Sequence, residues 1–157
     1  VTQGRVVVIG VGSLDRGDDA AGREVARRLR VTCESHAEIL ELEGEATGIL
    51  AALEKAEAAF VIDACLSGAA AGTIRRFDVA EGLPAALSFG LSSHGFGLAE
   101  AVELAKALGA LPPRCIVYAI EGESFEISAP VSAAVTRAIE EVAMRVRDEI
   151  HVLLRRE

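Results

Sequence analysis

The sequence predicts an α/β fold: a three-layer α/β/α sandwich in which a mostly parallel, twisted sheet of about five strands is flanked by helices. Three observations carry this expectation. Apolar runs rich in β-branched residues, such as Val6-Val7-Val8-Ile9 and Phe60-Val61-Ile62, read as strands buried on both faces. They alternate with stretches whose apolar residues recur at helical spacing. The composition is 51% apolar with only 4% aromatic residues, which suits helices layered on a sheet better than a β-sandwich. A chain of 157 residues is one domain's worth and can bury a substantial core. It shows no internal repeat, linker or low-complexity tract, so a single domain over 1–157 is expected.

Taken in order, the first strand (Val6 to Ile9) ends in Gly10-Val11-Gly12, and a helix follows in which Val25, Arg28 and Leu29 begin to recur. Asp18 and Asp19 stand at its start, where the exposed N–H groups and the helix dipole favour carboxylates. Glu38 to Leu42 is a short second strand, and Ala46 to Leu53 has a modest helical pattern. Ala58 to Ala64 is an apolar strand, and Gly72 to Val79 alternates like an edge strand. The stretch from Ala80 to Leu91 has no clear period and reads mostly as loop. From His94 onward, Phe96, Ala99, Val102, Ala105 and Leu108 form one apolar helix face, Gly109 stands where a C-terminal cap belongs, and Pro112-Pro113 forbid continuation. Cys115 to Ile120 is the last strand. Val131, Val135, Ile139, Val142, Val146, Ile150 and Leu153 then stripe a long closing helix.

Charge and composition exclude several function classes. A net charge of −8 argues against a nucleic-acid surface, and the short Arg27, Arg28, Arg30 run reads as a solvated helix face. No stretch approaches the ~20 apolar residues of a membrane span, and the N-terminal apolar run is too short for a targeting segment. Cys33, Cys65 and Cys115 are odd in number and lack CxxC spacing, so neither a disulfide framework nor a structural zinc site is indicated. A cytoplasmic protein is expected.

Strand, GxG turn and helix together suggest a dinucleotide site, but that fingerprint wants a third glycine three residues after the second. Asp15 occupies that position here, and Asp18 and Asp19 follow. Three carboxylates around one turn repel a phosphate and attract a cation. In a parallel sheet Asp19, Asp63 and His94 would emerge at the carboxyl ends of the strands, the edge where ligands bind in this architecture. Each has a plainer reading, Asp63 as a turn cap and His94 as a helix-start residue satisfied by backbone. Together, two carboxylates and an imidazole match the donors of a divalent cation site with room for water or substrate. Glu121 and Glu123 follow the last strand and could line the same edge. Glu123 reads as a solvated loop residue, and Glu121 as a candidate for supporting the site or touching substrate.

Four segments in this order and spacing resemble the hydrogenase maturation endopeptidases. They are GVGSLDRGDDAAG (Gly10 to Gly22), VIDA (Val61 to Ala64), SSHGFGLAEAVELAKALG (Ser92 to Gly109) and YAIEGESF (Tyr118 to Phe125). The resemblance covers nearly the whole chain. It places the family's metal-binding acidic residue on Asp19, the aspartate ending the central strand on Asp63 and the histidine before the glycine-led helix on His94. Ser13 stands where the family usually has Asn, Ala20 where Gly is common, and Asp15 where apolar or proline residues are more usual.

The resemblance implies an endopeptidase that removes the C-terminal extension from the large-subunit precursor of a nickel-iron hydrogenase once nickel has been inserted. Asp19, Asp63 and His94 would be both its catalytic and its metal-contacting residues. The metal implied is nickel carried by the substrate, or another divalent cation at the same place. Ser92 and Ser93 beside His94 lack a nucleophile elbow, and Cys65 reads as a small buried apolar residue. Two other classes stay open: a protein that holds nickel or the precursor without cutting it, and a nucleotide-binding module. The acidic turn leads us to expect that neither NAD nor ATP raises the melting temperature, while nickel does. A thermal-shift series with the three ligands checks this, and stabilisation by either nucleotide would restore the module.

Overall fold

The computed structural model describes residues 4–84, 88–89 and 97–156, the pair 88–89 by its backbone. Five strands lie in the order β2-β1-β3-β6-β4: β1 Val6–Val11, β2 Glu38–Leu42, β3 Ala58–Leu66, β4 Ile74–Asp78 and β6 Arg114–Glu121. The two-residue β5, Ser88–Phe89, pairs antiparallel with Leu66 and Cys65 at the end of β3. β1, β2, β3 and β6 run parallel, and β4 closes one edge antiparallel to β6. The continuous apolar runs form the middle of the sheet: all six residues of β1 and the first eight of β3 are buried. The mixed sequences of β2 and β4 are half-buried along the two edges.

Helices cover both faces, as the sequence predicts. α1 (Ala21–Cys33) and α4 (Ala133–Arg155) pack together on one face, over Val6, Val8, Phe60, Ile62, Ile116 and Tyr118. α2 (Ala46–Leu53) and α3 (Leu98–Ala107) cover the other, over Val7, Ile9, Val61 and Val117. The odd and even residues of each central strand thus feed two separate cores, which follows from the two-residue period of the strand.

Three expectations are corrected. The acidic pair does not sit in the first turn of α1 but in a separate 3₁₀ turn, Gly17–Ala20, because both carboxylates are engaged away from the α1 terminus. The buried face of α3 is Leu98, Ala101, Val102 and Ala105, and Leu108 is 60% exposed. The helix ends there, where Ala110 donates to the Ala105 carbonyl (2.8 Å) and Gly109 to that of Lys106 (3.2 Å), a Schellman closure that turns Leu108 outward. Phe96 lies outside the described residues. Nor is the arginine run simply solvated: Arg27 and Arg30, with Arg23, converge on Glu41 of β2, and Arg28 pairs with Glu24 and with Glu140 of α4.

α1 reaches the sheet through Gly22. A Cβ there would stand 2.2 Å from the Ile62 carbonyl oxygen and 2.4 Å from that of Val11, both backbone atoms that cannot swing aside. Gly22→Ala is therefore expected to cost about 3 kcal/mol or more, or to prevent folding, as overpacking against backbone does. Gly48→Ala in α2, whose Cβ would meet Leu42 only at 3.8 Å, serves as the contrast and should gain up to about 1 kcal/mol from helix propensity. Urea midpoints of the two variants check both.

Candidate active site

The buried charged residues among the described ones are all acidic and all sit at the carboxyl edge of the sheet: Asp18, Asp19, Asp63 and Glu121. No lysine or arginine is buried among the described residues. Carboxylates so placed must be hydrogen-bonded, protonated or matched by a cation from elsewhere. The four meet this requirement differently, and the difference sorts them by role.

Asp18 is fully committed within the protein. Its carboxylate accepts from the amides of Ser132 (2.7 Å), Glu123 (2.8 Å) and Ser124 (3.4 Å) and from the Ser132 hydroxyl (3.0 Å). Its own amide donates to the Ser124 carbonyl (2.8 Å), so the 3₁₀ turn is stapled to the β6–α4 connection. Of the two neighbouring aspartates, Asp18 therefore has its acceptor sites filled by donors of the chain itself.

Asp19 is buried but accepts a single hydrogen bond among the described residues, from the Ser13 amide (3.2 Å). That contact needs the Gly12 turn to pass very close. A Cβ on Gly12, whose φ is +144°, would lie 1.9 Å from the Asp19 carbonyl oxygen. Burial raises the Asp19 carboxyl above its ordinary range against the opposing pull of the Ser13 amide and Arg16. The Ser13 hydroxyl turns instead to Asp15 (2.5 Å), which lowers the Asp15 carboxyl. Ser13 and Asp15, two of the positions at which the turn is expected to differ from the family, are thus bonded to each other.

Asp63, the sixth residue of β3, is 4% exposed. Strand alternation puts it with Ala59 and Val61 on the face covered by α2 and α3. Burial pushes its carboxyl well above the usual carboxylate range, and the nearby charge of Asp19 pushes in the same direction, opposed only in part by the Ala64 amide. The structure therefore brings Asp63 within reach of the charge of Asp19. Two oxygen-donor groups with open lone pairs and unfavourable charge are what a divalent cation relieves, so the donor set fits one.

His94 lies outside the described residues, as do Ser92 and Ser93. What is described brackets them: β5 runs antiparallel to β3 with Phe89 opposite Cys65, two residues beyond Asp63, and α3 starts at Leu98 on the face to which Asp63 belongs. Among the described residues, no three of His, Cys, Asp and Glu come together closely enough to hold a metal ion. Cys65 is buried and its thiol is pushed up to about 12 by burial and by Glu121, so it is no nucleophile. A cavity of about 280 Å³ lies at the opposite edge, lined by Phe60, Arg114, Val152 and Arg156, away from all four carboxylates.

Sequence reasoning missed the Asp18 staple and its partner Ser132. The available signal was Ser132 just ahead of the α4 stripe, the residue type that caps a helix, and it accepts from the Val135 amide (3.4 Å). That it also donates across 114 residues to Asp18 had no local signature.

A family model described as hydrogenase maturation protease matches residues 24–149 of the chain. Solved structures share the fold. The NiFe hydrogenase maturation protease HybD from Thermococcus kodakarensis is 18% identical, with 93% of this chain and 99% of that chain covered at a TM-score of 0.73. The hydrogenase maturating endopeptidase HybD from E. coli is 23% identical, covering 94% and 92% at 0.73. The NiFe hydrogenase maturation protease HycI from Thermococcus kodakarensis KOD1 is 22% identical, covering 96% and 94% at 0.68. No curated protein matches the chain in sequence.

Asp18 and Asp63 should respond oppositely to the same substitution. Asp18→Asn turns an amide NH₂ toward donors that need an acceptor and should cost about 2–3 kcal/mol. Asp63→Asn removes a buried repulsion. Because the folded Asp63 carboxyl titrates above its unfolded value of 3.8, its stabilising contribution is complete below that pH and is lost as pH rises through the folded value. The stability of Asp63→Asn relative to the parent should therefore climb as pH rises above about 4. Metal-free urea titrations from pH 4 to 8 check the sign, and a parent protein that gained on the variant with pH would refute the assignment.

Proposed function

The chain belongs to the hydrogenase maturation protease family, a family of peptidases, and from that premise we propose that it cuts the C-terminal extension from a nickel-iron hydrogenase large-subunit precursor after nickel insertion. In this reading Asp19, Asp63 and His94 contact the nickel that the precursor carries. The observation that supports it most directly is the pair Asp19 and Asp63: buried, with the charge of Asp19 acting on Asp63, supplied with few donors among the described residues, and set at the strand ends where this architecture binds ligands.

The residues of the chain account for recognition first. Burial raises both carboxyls, and the charge of Asp19 raises Asp63 further, so the pair holds protons more readily than ordinary aspartates in the absence of a cation. A cation on the docking precursor favours the ionised forms, and the protons leave as it is bound. This makes the site answer to precursor that carries metal and reject precursor that does not. The Asp18 staple keeps the Asp19 turn fixed, so little ordering remains to be done when substrate arrives. Bound nickel supplies a positive charge beside the peptide that can polarise a carbonyl. Asp63, the carboxylate that burial and the charge of Asp19 both raise, is the candidate to take a proton from an attacking water once ionised.

Mass measurement of precursor incubated with the protein tests the reading. A mass drop is expected with the nickel-loaded precursor and not with the nickel-free form. Asp19→Asn, Asp63→Asn and His94→Ala should each reduce the rate by about a hundredfold or more, the scale of losing a group that acts on the reacting centre. Binding of the loaded precursor with no cleavage, using a precursor that another protease of the family does cut, would instead establish a non-catalytic binding protein.

A further inference from the structure

The mechanism above uses Asp19 and Asp63 and explains Asp18, but it leaves Glu121 without a task. Glu121 is the last residue of β6 and is 1% exposed. The register sets it opposite Cys65, two residues beyond Asp63 on the adjoining strand. By strand alternation it lies on the same face of the sheet as Ala119, the partner of Asp63. Its carboxylate accepts from the Ser67 amide at 2.9 Å through both oxygens, from the Ala69 amide at 3.0 Å, and from the Ser67 hydroxyl. Its backbone completes the tie: the Gly72 amide donates to its carbonyl (2.8 Å), and its amide donates to the Thr73 carbonyl (2.9 Å).

One residue therefore anchors the whole connection between β3 and β4, from Ser67 to Thr73. That connection follows Leu66, the last residue of β3 and three beyond Asp63, whose side chain is 39% exposed and lies by strand alternation on the other face. Water ordinarily satisfies the amides of a surface connection, and a buried carboxylate is a costly substitute unless one conformation has to be kept. Burial would raise the Glu121 carboxyl, but the Ser67 and Ala69 donors outweigh it and hold the group below its ordinary range, so it stays charged and keeps its grip at neutral pH. The pattern is that of a supporting group: a side chain that accepts from the Cys65 thiol of β3 (3.9 Å) and otherwise from one segment, which it holds at the end of that strand.

We infer that Glu121 is a positioning residue: it holds the Ser67–Ala70 connection as a fixed wall at the end of the strand that bears Asp63, against which the C-terminal segment of the precursor is laid for cleavage. This rests on the proposed function and adds a route by which a residue contacting neither metal nor scissile bond governs substrate affinity. It predicts a change in KM with little change in kcat, because the wall orders the segment on binding and takes no part in the bond-breaking step.

The test compares the parent protein with Glu121→Gln and Ser67→Ala on nickel-loaded precursor, alongside hydrogen exchange of the Ser67 and Ala69 amides. Glu121→Gln should speed exchange at both amides and raise KM about tenfold while kcat stays within about threefold. Ser67→Ala, which loses the hydroxyl and keeps both amides, should shift KM the same way by a smaller factor. An unchanged KM with the two amides freed, or a fall in kcat at unchanged KM, overturns the inference. Should Glu121→Gln not fold, Ser67→Ala alone decides, and an unchanged KM counts against it. A parent protein that binds loaded precursor without cutting it would defeat the proposed function and not this inference. In that case the precursor Kd is the readout, with about a tenfold weakening expected for Glu121→Gln and an equal Kd counting against the wall.

Discussion

Burying negative charge at one edge of a sheet, with no lysine or arginine buried among the described residues, is the constraint around which this molecule is arranged. Each buried carboxylate faces the same desolvation penalty, and the chain answers it in two ways. Asp18 and Glu121 are given backbone amides and hydroxyls until their acceptor sites are filled, and each ties a distant loop to the edge in the process. Asp19 and Asp63 receive fewer donors among the described residues, and burial raises their proton affinities. The first pair makes the edge rigid, and the second is left to hold protons. A loosely held Asp63 could move away from the charge of Asp19, so the second property depends on the first.

The fold explains how the chain sustains that tension. β1, β3 and β6 lie in the centre of the sheet with helices on both faces, so the ends of these strands cannot drift without disturbing two cores at once. The close seat of α1 at Gly22 joins the turn that bears Asp19 to both Val11 and Ile62, the latter one residue before Asp63. The two aspartates are thus positioned from a common point of backbone contact, with no dependence on long or mobile side chains.

Much of this was legible in the sequence, and the reasons are physical. Runs such as Val6 to Ile9 and Ala58 to Ala64 cannot be solvated, so strand, centre and parallel arrangement follow from them together. Glu38–Leu42 and Ala46–Leu53 emerge with the boundaries their sequences suggest. The face of α3 came out displaced because Ala99 and Leu108 fit a helical period as well as Leu98 and Ala101 do. Periodicity alone does not tell which stripe the sheet selects. The grouping of Asp19 with Asp63 follows from strand-end geometry, whereas the division of labour between Asp18 and Asp19 does not. It depends on Ser132 and on amides more than a hundred residues away, partners that no local pattern announces. Glu121 belongs to the same class: its strand position was readable, and its hold on Ser67 and Ala69 was not.

The bond between Ser13 and Asp15 has an evolutionary consequence. An apolar residue or a proline at position 15 would take away the acceptor of the Ser13 hydroxyl, and a residue without a side-chain donor at 13 would take from Asp15 the hydrogen bond that lowers its carboxyl. The effect of changing either position thus depends on what occupies the other, which is epistasis written into one turn. The pair is then better treated as one inherited unit than as two independent departures, and a turn grafted from a relative would have to carry both positions with it.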